Sequence, residues 1–61
     1  MPLIQVKVYE TRLNDATVKA LIERLTDAFI EAVADESVRD HTEVIVEGVP
    51  RSHWGVGGRT Y

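Results

Sequence analysis

Two short stretches with strand periodicity flank one long stretch with helical periodicity, and that order restricts the chain to a β-α-β unit. From Leu3 to Tyr9 the residues alternate, with Ile4, Val6 and Val8 on one face and Gln5 and Lys7 on the other. The turn Glu10-Thr11-Arg12-Leu13-Asn14 then leads into a helix, with Asn14 as N-cap, Asp15 in the first turn and Leu13 placed to staple onto Val18. Val18, Leu21, Ile22, Leu25, Ala28, Phe29, Ala32 and Val33 form one apolar stripe, while Lys19, Glu23, Asp27 and Glu31 occupy the opposite side. Ile30 lies off that stripe with no partner to name within the chain, which makes it a candidate contact for another subunit. The polar stretch Asp35 to His41 reads as a loop, and Thr42-Glu43-Val44-Ile45-Val46-Glu47 as a second strand rich in β-branched residues. Strands joined through a helix of this length are expected to run parallel with a right-handed crossover. The segment from Val49 to Tyr61, which holds the only Trp and a cluster of glycines, reads as a loop and a short hairpin.

The expected fold class is therefore α/β, with residues 1–61 forming a single domain. At this size a chain buries only about 60% of the surface its unfolded form exposes, so a second source of stability is needed. There is no cysteine to form a disulfide, and His41 and His53 have no further ligands at a metal-like spacing. One helix covers one face of a two-stranded sheet, which leaves the other face and at least one edge for another chain. Assembly into an oligomer is the expected remedy.

Composition narrows the partners. A net charge of −3 with scattered Lys and Arg offers no electrostatic footprint for a phosphate backbone, so nucleic acid is not an expected partner. No apolar run approaches the length of a membrane span, and no basic segment precedes an apolar one in the manner of a secretory signal. A cytoplasmic protein without a membrane partner is the expectation.

The chemistry starts at Met1-Pro2. Removal of Met1 turns Pro2 into a free secondary amine at the head of a strand, and an amine of that kind can act as a general base. Pro at the first residue of a strand is also simply permitted by geometry.

Pro2 opening the first strand, Arg12 just before the helix, and Pro50-Arg51-Ser52-His53-Trp54-Gly55-Val56-Gly57-Gly58 after the second strand together resemble the 4-oxalocrotonate tautomerase family. The resemblance spans nearly the whole chain. It implies a β-α-β protomer that pairs into a four-stranded sheet, with three pairs closing into a hexamer. It further implies an isomerase in which the processed proline moves a proton between an enol and the α,β-unsaturated keto form of a small carboxylic acid, without a metal or organic cofactor. Pro2 would be the base, Arg12 would bind a carboxylate or carbonyl of the substrate, and Trp54 would line an apolar pocket. An apolar wall and nearby arginines both disfavour the ammonium form, and Arg presents a planar fork to a carboxylate. Degradation of aromatic compounds is a pathway the resemblance suggests. Read from the residues alone, Arg12 is by default a solvated turn residue and Trp54 a filler of core or interface. The glycines satisfy backbone geometry and do not form a phosphate cradle. Glu10 and Glu47 read as ordinary polar residues at strand ends.

One position departs from the family pattern. Relatives that act on the diacid 2-hydroxymuconate carry a second arginine at the head of the second strand, and an ungapped count back from Trp54 puts Glu43 there. Arg39 in the preceding loop is the candidate to replace it in substrate binding, with Arg51 and Arg59 as further possibilities. The departure keeps other readings open: a monoacid enol as substrate, a catalytically reduced subunit of a hetero-oligomeric tautomerase, or a hydratase or dehalogenase of three-carbon unsaturated acids.

Overall fold

The computed structural model describes residues 1–60, and Tyr61, the last residue of the expected hairpin segment, lies outside the described residues. Strand β1, Leu3–Tyr9, pairs in parallel with β2, Glu43–Val49, and helix α1, Asp15–Val33, connects them. A small antiparallel hairpin, β3 at Gly55–Val56 and β4 at Arg59–Thr60, follows. Its turn passes through Gly57 and Gly58 at φ 60° and 84°, the left-handed region in which side chains other than glycine are strained. The α/β class, the parallel strands and the terminal hairpin agree with the expectation from the sequence.

Alternation along the strands decides what α1 covers. Ile4, Val6 and Val8 on β1, with Val44 and Val46 on β2, are half-buried, whereas Leu3, Gln5, Lys7, Glu43, Ile45 and Glu47 are exposed. The helix packs on the first set, and the second set forms an open sheet face. The smallest extent of the molecule, 15 Å, corresponds to one helix laid on one sheet. On the open face Leu3 is 51% and Ile45 49% exposed.

Helix α1 starts as its sequence dictates: the Asn14 side chain accepts a hydrogen bond from the Thr17 N–H at 2.8 Å, and Asp15 sits in the first turn. It ends at Ala34, whose backbone adopts the left-handed conformation (φ 56°, ψ 39°) while its N–H donates to the Ile30 carbonyl at 2.9 Å.

Ile30 corrects the sequence reading. Expected to be without a partner in the chain, it is instead the one buried apolar side chain among the described residues, at 5% exposure. The stretch expected as a loop forms a 3-10 helix, Glu36–His41, packed against α1. Arg39 of the 3-10 helix donates to the Asp27 carboxylate of α1 at 2.7 Å, which ties that segment to the helix. The Asp35 carboxylate starts this segment by accepting from the Ser37 N–H at 3.0 Å and the Ser37 hydroxyl at 2.6 Å. Two other boundaries shift modestly: the turn after β1 contains a 3-10 turn at Glu10–Arg12, and β2 starts one residue later than expected and runs on to Val49.

Candidate active site

Parallel pairing gives the sheet two chemically distinct ends. At the first, Leu3 pairs with Glu43, and the Glu43 N–H donates to the Pro2 carbonyl at 2.9 Å. Pro2 is half-buried and held by the ladder, while Met1 ahead of it is 85% exposed. The residue that precedes Pro2 is thus open to solvent.

At the second end, Tyr9 pairs with Val49, and the 3-10 turn that follows β1 carries Arg12 in its last position, exposed to solvent. That turn packs against Gly48, where an added Cβ would lie 3.1 Å from the Glu10 Cβ and 3.2 Å from its Cα. Beyond β2, a 3-10 turn at Arg51–His53 delivers Trp54, whose ring lies 4.8 Å from that of Tyr9 at an interplanar angle of 53°. The Arg51 guanidinium stands 5.4 Å from the Tyr9 centroid, within cation–π range. A shallow depression opens beside this cluster, walled by Trp54, His53, Pro50, Lys7 and Glu47.

Lys7 and Glu47 bond across the strands at 3.0 Å. Glu47 is therefore not an ordinary strand-end residue. The missing information was register: both side chains were readable as outward-facing, but only the alignment of β1 on β2 sets them opposite each other.

The four candidate site residues fall into separate places. Pro2 is at one end of the sheet, and Arg12 and Trp54 are at the other. A strand of seven residues rises about 3.3 Å per residue, so roughly 20 Å separates the two groups within one chain. Arg39 belongs to neither group. Its guanidinium is engaged by Glu36 and by Asp27, and these carboxylates, Glu36 foremost, hold its pKa above the ordinary arginine value. Among the described residues no three His, Cys, Asp or Glu side chains cluster so as to hold a metal ion, and no helix is long and apolar enough to cross a membrane.

The same fold is found in a solved structure. The chain superposes on the crystal structure of apo unFused 4-OT with a TM-score of 0.82 and 29% identity, covering 97% of each chain. Probable tautomerase RSp0893 of Ralstonia nicotianae is 43% identical over 58 residues, which span 95% of this chain and 79% of that protein. The family model described as Tautomerase enzyme matches residues 2–60, so that the proline, the turn arginine and the Trp-Gly-Val-Gly-Gly hairpin all fall within the match. With the fold and the sequence pointing the same way, the chain belongs to the tautomerase family and is an isomerase.

Proposed function

We propose that this isomerase uses the secondary amine of Pro2, freed by removal of Met1, as the general base that interconverts the enol and α,β-unsaturated keto forms of a small carboxylic acid. The neutral amine takes the enol hydroxyl proton as the C–O bond gains double-bond character. The same nitrogen then delivers that proton to the far carbon of the conjugated system, which leaves the ketone and regenerates the base. Arg12 holds a substrate carboxylate through charge-assisted hydrogen bonds and Trp54 supplies an apolar wall.

The observation that carries this reading furthest is the separation of Pro2 from Arg12 and Trp54 at opposite ends of β1 and β2. Such a separation fits a site built between copies, in which the Pro2 end of one chain meets the Arg12 end of another. The open sheet face with Leu3 and Ile45 supports the same arrangement, since apolar surface of this kind is stabilised by a second copy. A hexamer of identical chains satisfies both. Arg39, already held by two carboxylates, contributes to binding only at the cost of those contacts.

The test is an intact mass measurement coupled to assays of enol acids. The mature protein should lack Met1, activity should rise with pH as the amine loses its proton, and Pro2→Ala should lower kcat by about 10²–10⁴-fold, the usual worth of a positioned general base. A preparation that retains Met1 has an amide nitrogen at Pro2, and full activity from it would overturn the mechanism.

A further inference from the structure

Glu43 is held against the residue that the proposed mechanism makes its base. Its N–H is bonded to the Pro2 carbonyl at 2.9 Å, its register partner is Leu3, and its side chain is exposed on the open sheet face. The backbone of Glu43 is therefore fixed one strand spacing, roughly 5 Å, from that of Pro2. Among the described residues no lysine or arginine side chain along the strands pairs with the Glu43 carboxylate. Lys7, the next cation on that face, lies about 16 Å along β1 from Pro2 and is paired with Glu47 at 3.0 Å. Arg39 in the segment before β2 is bound to Asp27 and Glu36. Asp40 and His41 are the other ionisable groups in that approach, and both are exposed. Flanking the carboxylate are apolar Leu3 and Ile45.

We infer that Glu43 is a specificity-determining residue that restricts the site to monoacids, substrates with one carboxylate and an uncharged far end. The inference rests on the proposed placement of the substrate between Pro2 and a neighbouring chain's Arg12. In that arrangement the arginine end of the neighbouring chain takes one carboxylate, and the fixed charge beside Pro2 is an anion, Glu43. A second carboxylate on the substrate is pushed against Glu43 without compensation, whereas an uncharged alkenyl or aryl end lies on Leu3 and Ile45. Like charges several ångströms apart at a wet surface change affinity by about tenfold, and building such repulsion against a competitor is a general route to selectivity.

A matched pair of unreactive probes isolates this charge from the proton transfer: trans,trans-hexa-2,4-dienoate and trans,trans-hexa-2,4-dienedioate differ only in the second carboxylate. Their dissociation constants, measured by calorimetry on the assembled wild-type protein, should favour the monoacid by about tenfold. Glu43→Gln should bring the ratio close to unity and Glu43→Arg should invert it, while Glu23→Gln, the same charge change on the exposed side of α1, should leave it in place. Added salt should narrow the wild-type ratio. A wild-type preference for the diacid, a ratio that Glu43→Gln does not move, or binding of neither probe would each overturn the inference. Because neither probe can tautomerise, the loss of the Pro2 mechanism would show in turnover and leave these ratios readable.

Discussion

The ring of Trp54 packs on that of Tyr9 at 4.8 Å, and this contact ties the end of β1 to the connection that follows β2. Neither residue is at the tip of a strand by accident of length. Tyr9 is the last residue of β1, and the 3-10 turn Arg51–His53 returns the chain so that Trp54 meets it, with Arg51 placed over the same ring.

Trp54 is the sole tryptophan, so its fluorescence reports this junction alone. Tyr9→Ala should shift its emission to the red as water reaches the indole, and should lower stability by about 0.5–1.5 kcal/mol for the lost ring pair, beyond the area exposed. Tyr9→Phe should restore both. Unchanged emission in Tyr9→Ala would mean that the contact does not shield the indole.

Arg12 and Arg39 should separate in their effects. Arg12 stands exposed after its 3-10 turn, and Arg12→Ala should lower kcat/KM by about 1–3 kcal/mol through lost charge-assisted hydrogen bonding, with little change in the melt. Arg39 is engaged by Asp27 and Glu36, so Arg39→Ala should lower the melting temperature slightly and leave kcat/KM nearly as it was. A large loss of kcat/KM in Arg39→Ala would show that its fork is released to substrate in the assembled protein.

Gly48→Ala tests the packing between β2 and the turn after β1. The added methyl would meet the Glu10 Cβ and the Leu13 Cδ1 at 3.1 Å, and the Glu10 Cα at 3.2 Å. Leu13 can rotate away, but the Glu10 backbone cannot without shifting the turn that holds Arg12. A destabilisation of about 1–3 kcal/mol is expected, read from denaturant midpoints at matched protein concentration. Wild-type stability would indicate that the turn gives way freely.

Asp35 should contribute an acid limb to stability. Its hydrogen bonds from the Ser37 hydroxyl and then from the Ser37 N–H lower its pKa below the ordinary carboxylate value. A group depressed on folding stabilises above its unfolded pKa, near 4 by the usual range for Asp, and loses that contribution as pH falls through the folded value. Asp35→Asn should therefore narrow the gap to wild type progressively below about pH 4. A constant difference in melting temperature across that window would assign the effect to the lost cap geometry instead.

How much of this was legible in the sequence depends on the range of the interaction involved. Asn14 as helix cap, the alternation in β1 and the glycine turn of the hairpin are local, and local patterns are what a sequence displays. The burial of Ile30 and the 3-10 helix Glu36–His41 carry no comparable signal. The hydrogen bonds within that segment, donated by Ser37 to Asp35 and by Arg39 to Glu36, are short-range and polar and carry no apolar period. The Lys7–Glu47 bond and the adjacency of Glu43 to Pro2 both depend on strand register, which is a tertiary outcome. Pro2, Arg12 and Trp54 were singled out from their motifs, yet their distribution over opposite ends of the sheet emerges only once β1 and β2 are aligned.

That distribution has a genetic consequence. If catalysis draws Pro2 from one chain and Arg12 from its neighbour, a chain lacking the proline and a chain lacking the arginine damage different halves of each site. Co-assembled, some junctions would combine the intact half of each. Two alleles that are each inactive would then complement when expressed together, and dilution of the wild-type protein below its dissociation constant would abolish turnover before any chain had been chemically altered.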